Sequence, residues 1–339
     1  MSKRLPLCLA LQGGGSHGAF QWGVLDRLFE DDRIKVTAVT AASAGAMNAA
    51  ALVTGLEKDG NAGARVALDH LWQEVNRSGG RNVFGTSGQW LQSLTKQWVG
   101  ENPLWQAGQT LAMSMSPYAF NPFNLTPLKR VVETVVDFEA VRASKIRMHV
   151  SATAVRSGKS RIFDTAEITP EVLMASACLP HMFQAVRIDD EDYWDGGYLA
   201  NPALYPLFED KQPHDILLLP LNPFRRDDTP EQSADIMDRL NEILFNAPLV
   251  AELRSIAFVQ KLLEEGRLER GGGWGEIRLH AIPADEWLGD LSLASKMDTE
   301  WHFLTTLKSA GREAADRWLT DCFAQVGKAT TIDLQTEFL

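Results

Sequence analysis

The chain has 339 residues, 45% of them hydrophobic, and a formal net charge of −11 at pH 7. This length can bury a sizeable core, and the negative charge argues against nucleic acid or anionic lipid as a partner. Its three cysteines (Cys8, Cys178 and Cys322) lack metal-ligand spacing and fit a reducing cytoplasm. No apolar run reaches the ~18 residues that span a bilayer, and residues 1–6 leave no room for a signal peptide. We therefore expect a cytoplasmic protein whose contact with membranes, if any, is peripheral.

A glycine-rich loop follows the first predicted strand, Leu5–Leu11, and precedes a predicted helix over residues 19–30. Gly13, Gly15 and Gly18 fit the G-x-G-x-x-G pattern of a dinucleotide site. Such a site also needs an acidic residue at the end of the second strand, and the predicted strand over residues 36–40 ends without one. The alternative is an oxyanion hole, in which glycines without Cβ atoms let backbone N–H groups approach a reacting carbonyl. A loop that serves packing alone is the third interpretation.

A turn of small residues follows the second predicted strand. Its sequence, Ala41-Ala42-Ser43-Ala44-Gly45, resembles the G-x-S-x-G nucleophile elbow, with Ala41 in place of the first glycine. A predicted buried helix over residues 44–56 puts Ser43 at a helix N-terminus, where negative charge is favoured. Ser43 is thus a candidate nucleophile and the Ala44 N–H a candidate oxyanion donor. An ordinary buried helix start would have the same local sequence.

The segment over residues 78–125 is rich in aromatic residues and methionine, including Trp90, Trp98 and Trp105. It is predicted either to cover an acyl-chain channel as a lid or to fill a satellite core. The other predicted elements alternate between helices and strands: helices over residues 62–76, 125–136, from 170, from 229 and over 302–324, and strands over residues 146–155, 161–163, 192–194, 215–221 and 276–282. The helix from residue 229 has a capping-box start, and Pro248 is predicted to kink or divide it. This alternation predicts a three-layer α/β/α fold with a mostly parallel central sheet.

A third motif lies near residue 195. The chain reads Ala175-Ser176-Ala177-Cys178-Leu179-Pro180 and then, after the predicted strand, Asp195-Gly196-Gly197. The order G-G-G-x-x-G, x-S-x-G, A-S-x-x-x-P and D-G-G resembles the bacterial patatin-like phospholipase family. The resemblance covers roughly residues 5–220 and rests on four motifs in the same order and spacing.

The resemblance implies a lipid acyl hydrolase with a Ser-Asp dyad. Ser43 would be the nucleophile and Asp195 the general base. The oxyanion donors would be Gly13, Gly14 and Gly15, with Ala44 as a further one, and His17 and Pro180 would lie at the substrate site. It implies neither a metal nor an organic cofactor. The family usually carries Arg or Lys where this chain has His17, so we expect the charge of the loop to vary with pH near neutrality.

The chemistry of Asp195 can also be considered directly. A carboxylate with an ordinary pKa near 3.9 is a poor base, so it needs burial to raise that pKa, and Tyr193, Trp194 and Tyr198 could supply an apolar wall. A histidine base is the alternative, although the seven histidines lie in contexts that favour structural roles: His17, His70, His149, His181, His214, His280 and His302. Asp195 could also serve only as a turn residue.

We therefore predict one domain over residues 1–339, with a motif-bearing core at about 5–220 and a mainly helical part at about 229–339. The predicted function is hydrolysis of a carboxylic ester in a lipid. A soluble esterase or thioesterase, a transacylase and a non-catalytic lipid-binding protein remain alternatives. The sequence does not indicate an oligomeric state, and residues 225–339 carry no recognised motif.

Overall fold

The computed structural model describes residues 4–79, 116–121, 124, 126–208, 214–268 and 277–338. Most of the aromatic-rich segment over residues 78–125 lies outside these residues. The choice between a lid and a satellite core therefore stays a prediction.

A mostly parallel sheet forms the centre of the described part of the chain. Its strands are β1 Leu5–Leu11, β2 Ile34–Ala41, β3 Arg147–Ala154, β4 Lys159–Asp164, β5 Val186–Ile188, β6 Glu191–Asp195, β7 His214–Leu219 and β8 Ile277–Ala281. Hydrogen-bonded strands follow one another in the path β5-β6-β3-β2-β1-β7-β8, and β4 also pairs with β3. The five strands β3, β2, β1, β7 and β8 are parallel to their neighbours among themselves, whereas β4, β5 and β6 pair antiparallel.

Helices surround this sheet. They are α1 Gly18–Leu28, α2 Ala44–Gly79, α3 Pro117–Phe120, α4 Pro127–Val135, α5 Phe138–Ala143, α6 Pro170–Ser176, α7 Ser233–Glu264, α8 Asp285–Leu288, α9 Trp301–Asp321 and α10 Leu334–Glu337. Within the described ranges, none of them combines the length and apolar character that a membrane crossing requires.

The alternation of side chains along the strands produces two cores. On β1, Leu7, Leu9 and Leu11 face a core shared with α1, α2 and α9, while Cys8 and Ala10 face a second core. The second core includes apolar side chains of α7 and α10. Because successive residues of a strand point to opposite faces, one apolar strand serves both cores. The predicted three-layer α/β/α architecture is confirmed.

Two predicted features of the helices need comment. The helices predicted over residues 44–56 and 62–76 form the two arms of α2, separated by non-helical backbone at Asp59 and Gly60. The predicted start at residue 229 is wrong, because α7 begins at Ser233 with Gln232 at its N-cap. The segment before α7 is attached to this helix by two hydrogen bonds from Arg226 to Glu242.

Pro248 lies inside α7 and does not divide it. A proline in a helix removes one backbone hydrogen bond and usually kinks or ends the helix. Here Phe245, Leu249 and Leu253 are buried on one face of α7, on both sides of the proline. This continuous packing explains why the helix runs on.

Candidate active site

The sheet brings the ends of β2 and β6 together on one edge of β3. Residues 149 and 150 of β3 pair with β4, and they also pair with β2, so β2 and β4 lie on opposite edges. By the same reasoning β6 lies on the β2 edge, since residues 152–154 pair with both β4 and β6. Ala41, at the end of β2, is opposite Val150, and Asp195, at the end of β6, is opposite Ala152. The two strands run in opposite directions, so their carboxyl ends point at each other.

Ser43 occupies the turn between β2 and α2 in a strained conformation. Its φ is +52°, in the left-handed region that residues with a Cβ atom rarely adopt. Its backbone N–H donates to Ser176 Oγ at 2.9 Å, and α2 begins at the next residue, Ala44. This is the strand-turn-helix geometry expected of a nucleophile elbow. Ser176, from the A-S-x-x-x-P segment, holds the turn, a role that the sequence did not suggest.

Asp195 is fully buried, with 0% of its surface exposed. Its backbone is fixed by hydrogen bonds to Cys178 and Thr153 at 2.8 Å each, and its Oδ1 accepts the Gly197 N–H at 2.7 Å. Oδ2 has no well-aligned hydrogen-bond partner among the residues described. The Ser43 hydroxyl nevertheless lies close enough to the carboxylate to lower its pKa.

Burial dominates the electrostatics of Asp195. It raises the pKa of the carboxyl to about 7, against the opposing effects of the Gly197 N–H, the Ser43 hydroxyl and the charge of Lys296. The apolar wall predicted from Tyr193, Trp194 and Tyr198 stays a prediction. Burial, with a smaller effect from the charge of Asp195, raises the pKa of Tyr198 to about 12, and Phe245 of α7 packs on Gly197. The carboxylate is thus a stronger base than an exposed aspartate.

The glycine loop lies directly against Ser43. A Cβ atom placed on Gly13 would be 2.7 Å from Ser43 Cβ, so a side chain at this position would displace the serine. The Gly13 N–H, however, donates to Asn201 Oδ1 at 2.8 Å. Because this N–H is already engaged, Gly13 is removed from the predicted oxyanion donors. The N–H groups of Gly14, Gly15 and Ala44 have no acceptor among the described residues.

A buried amide network holds this loop, and the sequence did not predict it. Gln12 Oε1 accepts the backbone N–H groups of Leu221 and Asn222 at 2.7 and 2.8 Å, and Gln12 Nε2 donates to Asn246 Oδ1 at 2.9 Å. Asn222 Nδ2 donates to the Gly13 carbonyl at 3.1 Å. Buried polar groups that satisfy one another in this way fix a single arrangement. Gln12 is recognisable beside the glycines, whereas nothing marks Asn246 in the sequence.

His17 does not carry the pH-dependent charge that we predicted. The side chain is 2% exposed, Nε2 forms a 2.7 Å hydrogen bond with Ser295 Oγ, and Nδ1 has no partner among the described residues. Burial, with a smaller effect from the charge of Lys296, lowers the pKa of His17 to about 3. The histidine is therefore neutral at physiological pH, and the prediction of titration near neutrality is wrong. Its role in substrate binding stays a prediction.

Pro180 is half-buried in the turn after α6. It lies two residues beyond Cys178, whose carbonyl accepts the Asp195 N–H. This proximity in sequence is compatible with a place in the wall of the site, which stays a prediction. Across the ranges that the structure covers, no group of three or more His, Cys, Asp or Glu side chains is arranged to hold a metal ion.

Two solved structures are among those similar to this chain. VipD from Legionella pneumophila matches with a TM-score of 0.42 and 14% identity, over 92% of this chain and 66% of VipD. The ExoU–SpcU heterodimer from the Pseudomonas aeruginosa type III secretion system matches with a TM-score of 0.40 and 15% identity, over 94% of this chain and 52% of the matched chain. This chain therefore spans between about half and two thirds of those chains. No curated protein sequence matches it.

The sequence itself matches the family profile described as "Patatin-like phospholipase" over residues 9–208. The matched range covers more than half of the chain and contains the glycine loop, Ser43 and Asp195. The family is one of lipid hydrolases, in agreement with the resemblance predicted from the four motifs. This chain belongs to the patatin-like phospholipase family.

Proposed function

We propose that this protein hydrolyses a carboxylic ester of a lipid through a dyad of Ser43 and Asp195. The observation that carries the proposal is that Ser43, whose backbone is strained, lies close to the buried Asp195 carboxylate, whose pKa is raised. A serine hydroxyl is a weak nucleophile until an adjacent base removes its proton, and in this proposal Asp195 is that base. The lipid nature of the substrate rests on the family.

In the proposed mechanism, Ser43 attacks the acyl carbonyl while Asp195 accepts the hydroxyl proton. The oxyanion is held by N–H groups selected from Gly14, Gly15 and Ala44, which have no other acceptor among the described residues. The dipole of α2, whose N-terminus begins at Ala44, favours the same negative charge. Protonated Asp195 then gives its proton to the leaving alcohol, and carboxylate Asp195 later activates the water that cleaves the acyl-serine.

Labelling with a fluorophosphonate, followed by mapping of the adduct, tests the nucleophile. We expect a single adduct on Ser43, no labelling of Ser43→Ala, and normal labelling of Ser160→Ala, which changes an exposed serine on β4. An adduct elsewhere, or none in the folded wild-type protein, would reject the proposed nucleophile.

The substrate is tested by comparing phosphatidylcholine vesicles with a short-chain soluble ester. A lipid hydrolase releases fatty acid from the vesicles, and both Ser43→Ala and Asp195→Asn should lose this activity. Asp192→Asn is the matched control, because Asp192 lies on the same strand but pairs with Arg187 at the surface. Turnover of the soluble ester alone would favour an esterase, and transfer of the acyl group to an added alcohol would favour a transacylase.

A further inference from the structure

A 3₁₀ turn over Leu293–Met297 contacts the glycine loop from the C-terminal part of the chain. Ser295 Oγ bonds His17 at 2.7 Å, and the Lys296 carbonyl packs on Gly15, where a Cβ atom would lie 2.4 Å from it. Gly15 has a φ of +57°, so a glycine is required there for both backbone conformation and space. This turn lies outside residues 9–208, which match the family profile.

Two buried or half-buried amide side chains hold the ammonium group of Lys296. Its Nζ donates to Asn222 Oδ1 at 2.6 Å and to Asn241 Oδ1 at 3.0 Å. Through Asn222 it is linked to the loop, since the same side chain donates to the Gly13 carbonyl. The ammonium group also lies 5.8 Å from the centroid of the Phe245 ring, and that ring packs on Gly197 beside Asp195.

We propose that Lys296 is a positioning residue of the active site, whose positive charge behind the glycine loop favours the carboxylate form of Asp195 that accepts the proton of Ser43. The catalytic importance of Lys296 rests on the proposed function, whereas its effect on the ionisation of Asp195 can be measured without it. Neutral amide oxygens hold the ammonium group, and no carboxylate of the described residues forms a direct ion pair with it. A cation near a carboxylate favours ionisation of that carboxylate.

The charged groups around the pair agree with this role. The negative charges of Glu242, Asp238 and Asp195 favour the protonated form of Lys296. Glu242 is already paired with Arg226 and Arg239, both on or beside α7. His17 faces Lys296 as a neutral group, since its pKa is lowered to about 3. Asp195 is faced by Cys178 and Tyr198, whose pKa values burial raises to about 12, so neither carries a charge at neutral pH. Lys296 thus supplies the cation that the loop itself lacks.

Burial lowers the pKa of Lys296 itself to about 8, despite the three carboxylates that oppose this effect. The ammonium group therefore loses its proton in the mildly alkaline range, where its influence on Asp195 ends. An arginine at this position would keep its charge throughout that range.

The test is a direct titration of the Asp195 carboxyl carbon by ¹³C NMR, with the signal assigned through Asp195→Asn. Lys296→Met should raise the midpoint by about 0.5–1 pH unit, as expected when a cation that acts on a buried carboxylate is removed. Lys296→Arg should restore the wild-type midpoint. Lys261→Met, which removes an exposed lysine from α7, is the control for a change in net charge and should leave the midpoint unchanged.

A midpoint in Lys296→Met within 0.2 pH unit of the wild type would overturn the inference. The titration counts only for a folded variant, which must show the circular dichroism spectrum and the NMR signal dispersion of the wild type. Fluorophosphonate labelling of the same variants is measured between pH 5 and 9. Failure of the wild type to label at Ser43 would reject the proposed function while the titration still decides the role of Lys296. A uniform loss of labelling with an unchanged midpoint would show a merely structural lysine and would also overturn the inference.

Discussion

Replacement of Asp195 by asparagine should stabilise the protein above pH 7 while it removes the proposed base. The carboxyl is fully buried and its pKa is raised from 3.8 to about 7, so the folded state disfavours the charge that the unfolded chain accepts readily. A rise of this size corresponds to about 4 kcal/mol, at 1.36 kcal/mol per pH unit. Asparagine keeps the acceptor oxygen for the Gly197 N–H and never ionises.

The sign of the effect follows from proton binding. Between the unfolded pKa near 3.8 and the folded pKa near 7, the native protein holds a proton on Asp195 that the unfolded chain has released. The contribution of Asp195 to stability is therefore fully present below pH 4 and is lost as the pH rises through 7. The advantage of Asp195→Asn over the wild type should grow by about 2–3 kcal/mol between pH 5 and pH 8.

The measurement is the free energy of unfolding of both proteins from urea titrations at pH 5, 6, 7 and 8. Asp192→Asn provides the control, because this side chain is partly exposed and paired with Arg187, and it should not reproduce the trend. A difference between Asp195→Asn and the wild type that stays constant over this range would refute the reasoning. So would an asparagine variant that is less stable than the wild type at pH 8.

Three further predictions concern the loop and the serine turn. Gly13→Ala should reduce fluorophosphonate labelling about 10²-fold or more, because its Cβ atom would meet that of Ser43 at 2.7 Å and displace the serine. Gly158→Ala is the control: its φ of +64° makes alanine strained there, but no atom lies within 4 Å, so this variant should label normally. Ser176→Ala removes the acceptor of the Ser43 N–H and should cost about 1 kcal/mol of stability together with a measurable fall in kcat; an unchanged kcat would show that the turn is held without it. His17→Gln should leave the midpoint of the pH–rate profile unchanged, because burial keeps the histidine neutral; a shift of half a pH unit would contradict this.

The fold could be predicted from the sequence to the extent that it depends on local patterns. The apolar run of β1 and the small residues after β2 predict strands and a turn because burial and steric limits act within a few residues. The pairing of β6 with the β2 edge of β3 could not be predicted, since it depends on contacts of β3 with β2 across 109 residues and with β6 across about 40 residues. That pairing is what brings Asp195 to Ser43. Pro248 shows the opposite failure, where a reliable local signal for a break is overridden by packing on both sides.

The residues of the candidate site also differ in how well the sequence predicts them. Ser43, Asp195 and the glycines belong to short motifs, so their types and spacing are visible in the sequence. The side chains that hold them, such as Asn201 and Asn222, are single amides without a surrounding pattern. An asparagine becomes a positioning group only when the fold brings it to a particular backbone N–H or carbonyl, as Asn201 is brought to the Gly13 N–H. The same contact explains why Gly13, the first glycine of the motif, is not an available donor.

The position of these supporting residues also bears on how the domain is divided. Asn222, Asn246 and Lys296 lie beyond residues 9–208 that match the family, yet all three belong to the network behind the glycine loop. The loop itself has little to hold it, because three consecutive glycines contribute no side chains and lose much entropy when they are ordered. Buried amide side chains from later in the chain compensate for this by forming hydrogen bonds that fix the backbone of the loop. The C-terminal part therefore does more than cover the second core: the geometry of the proposed active site depends on it.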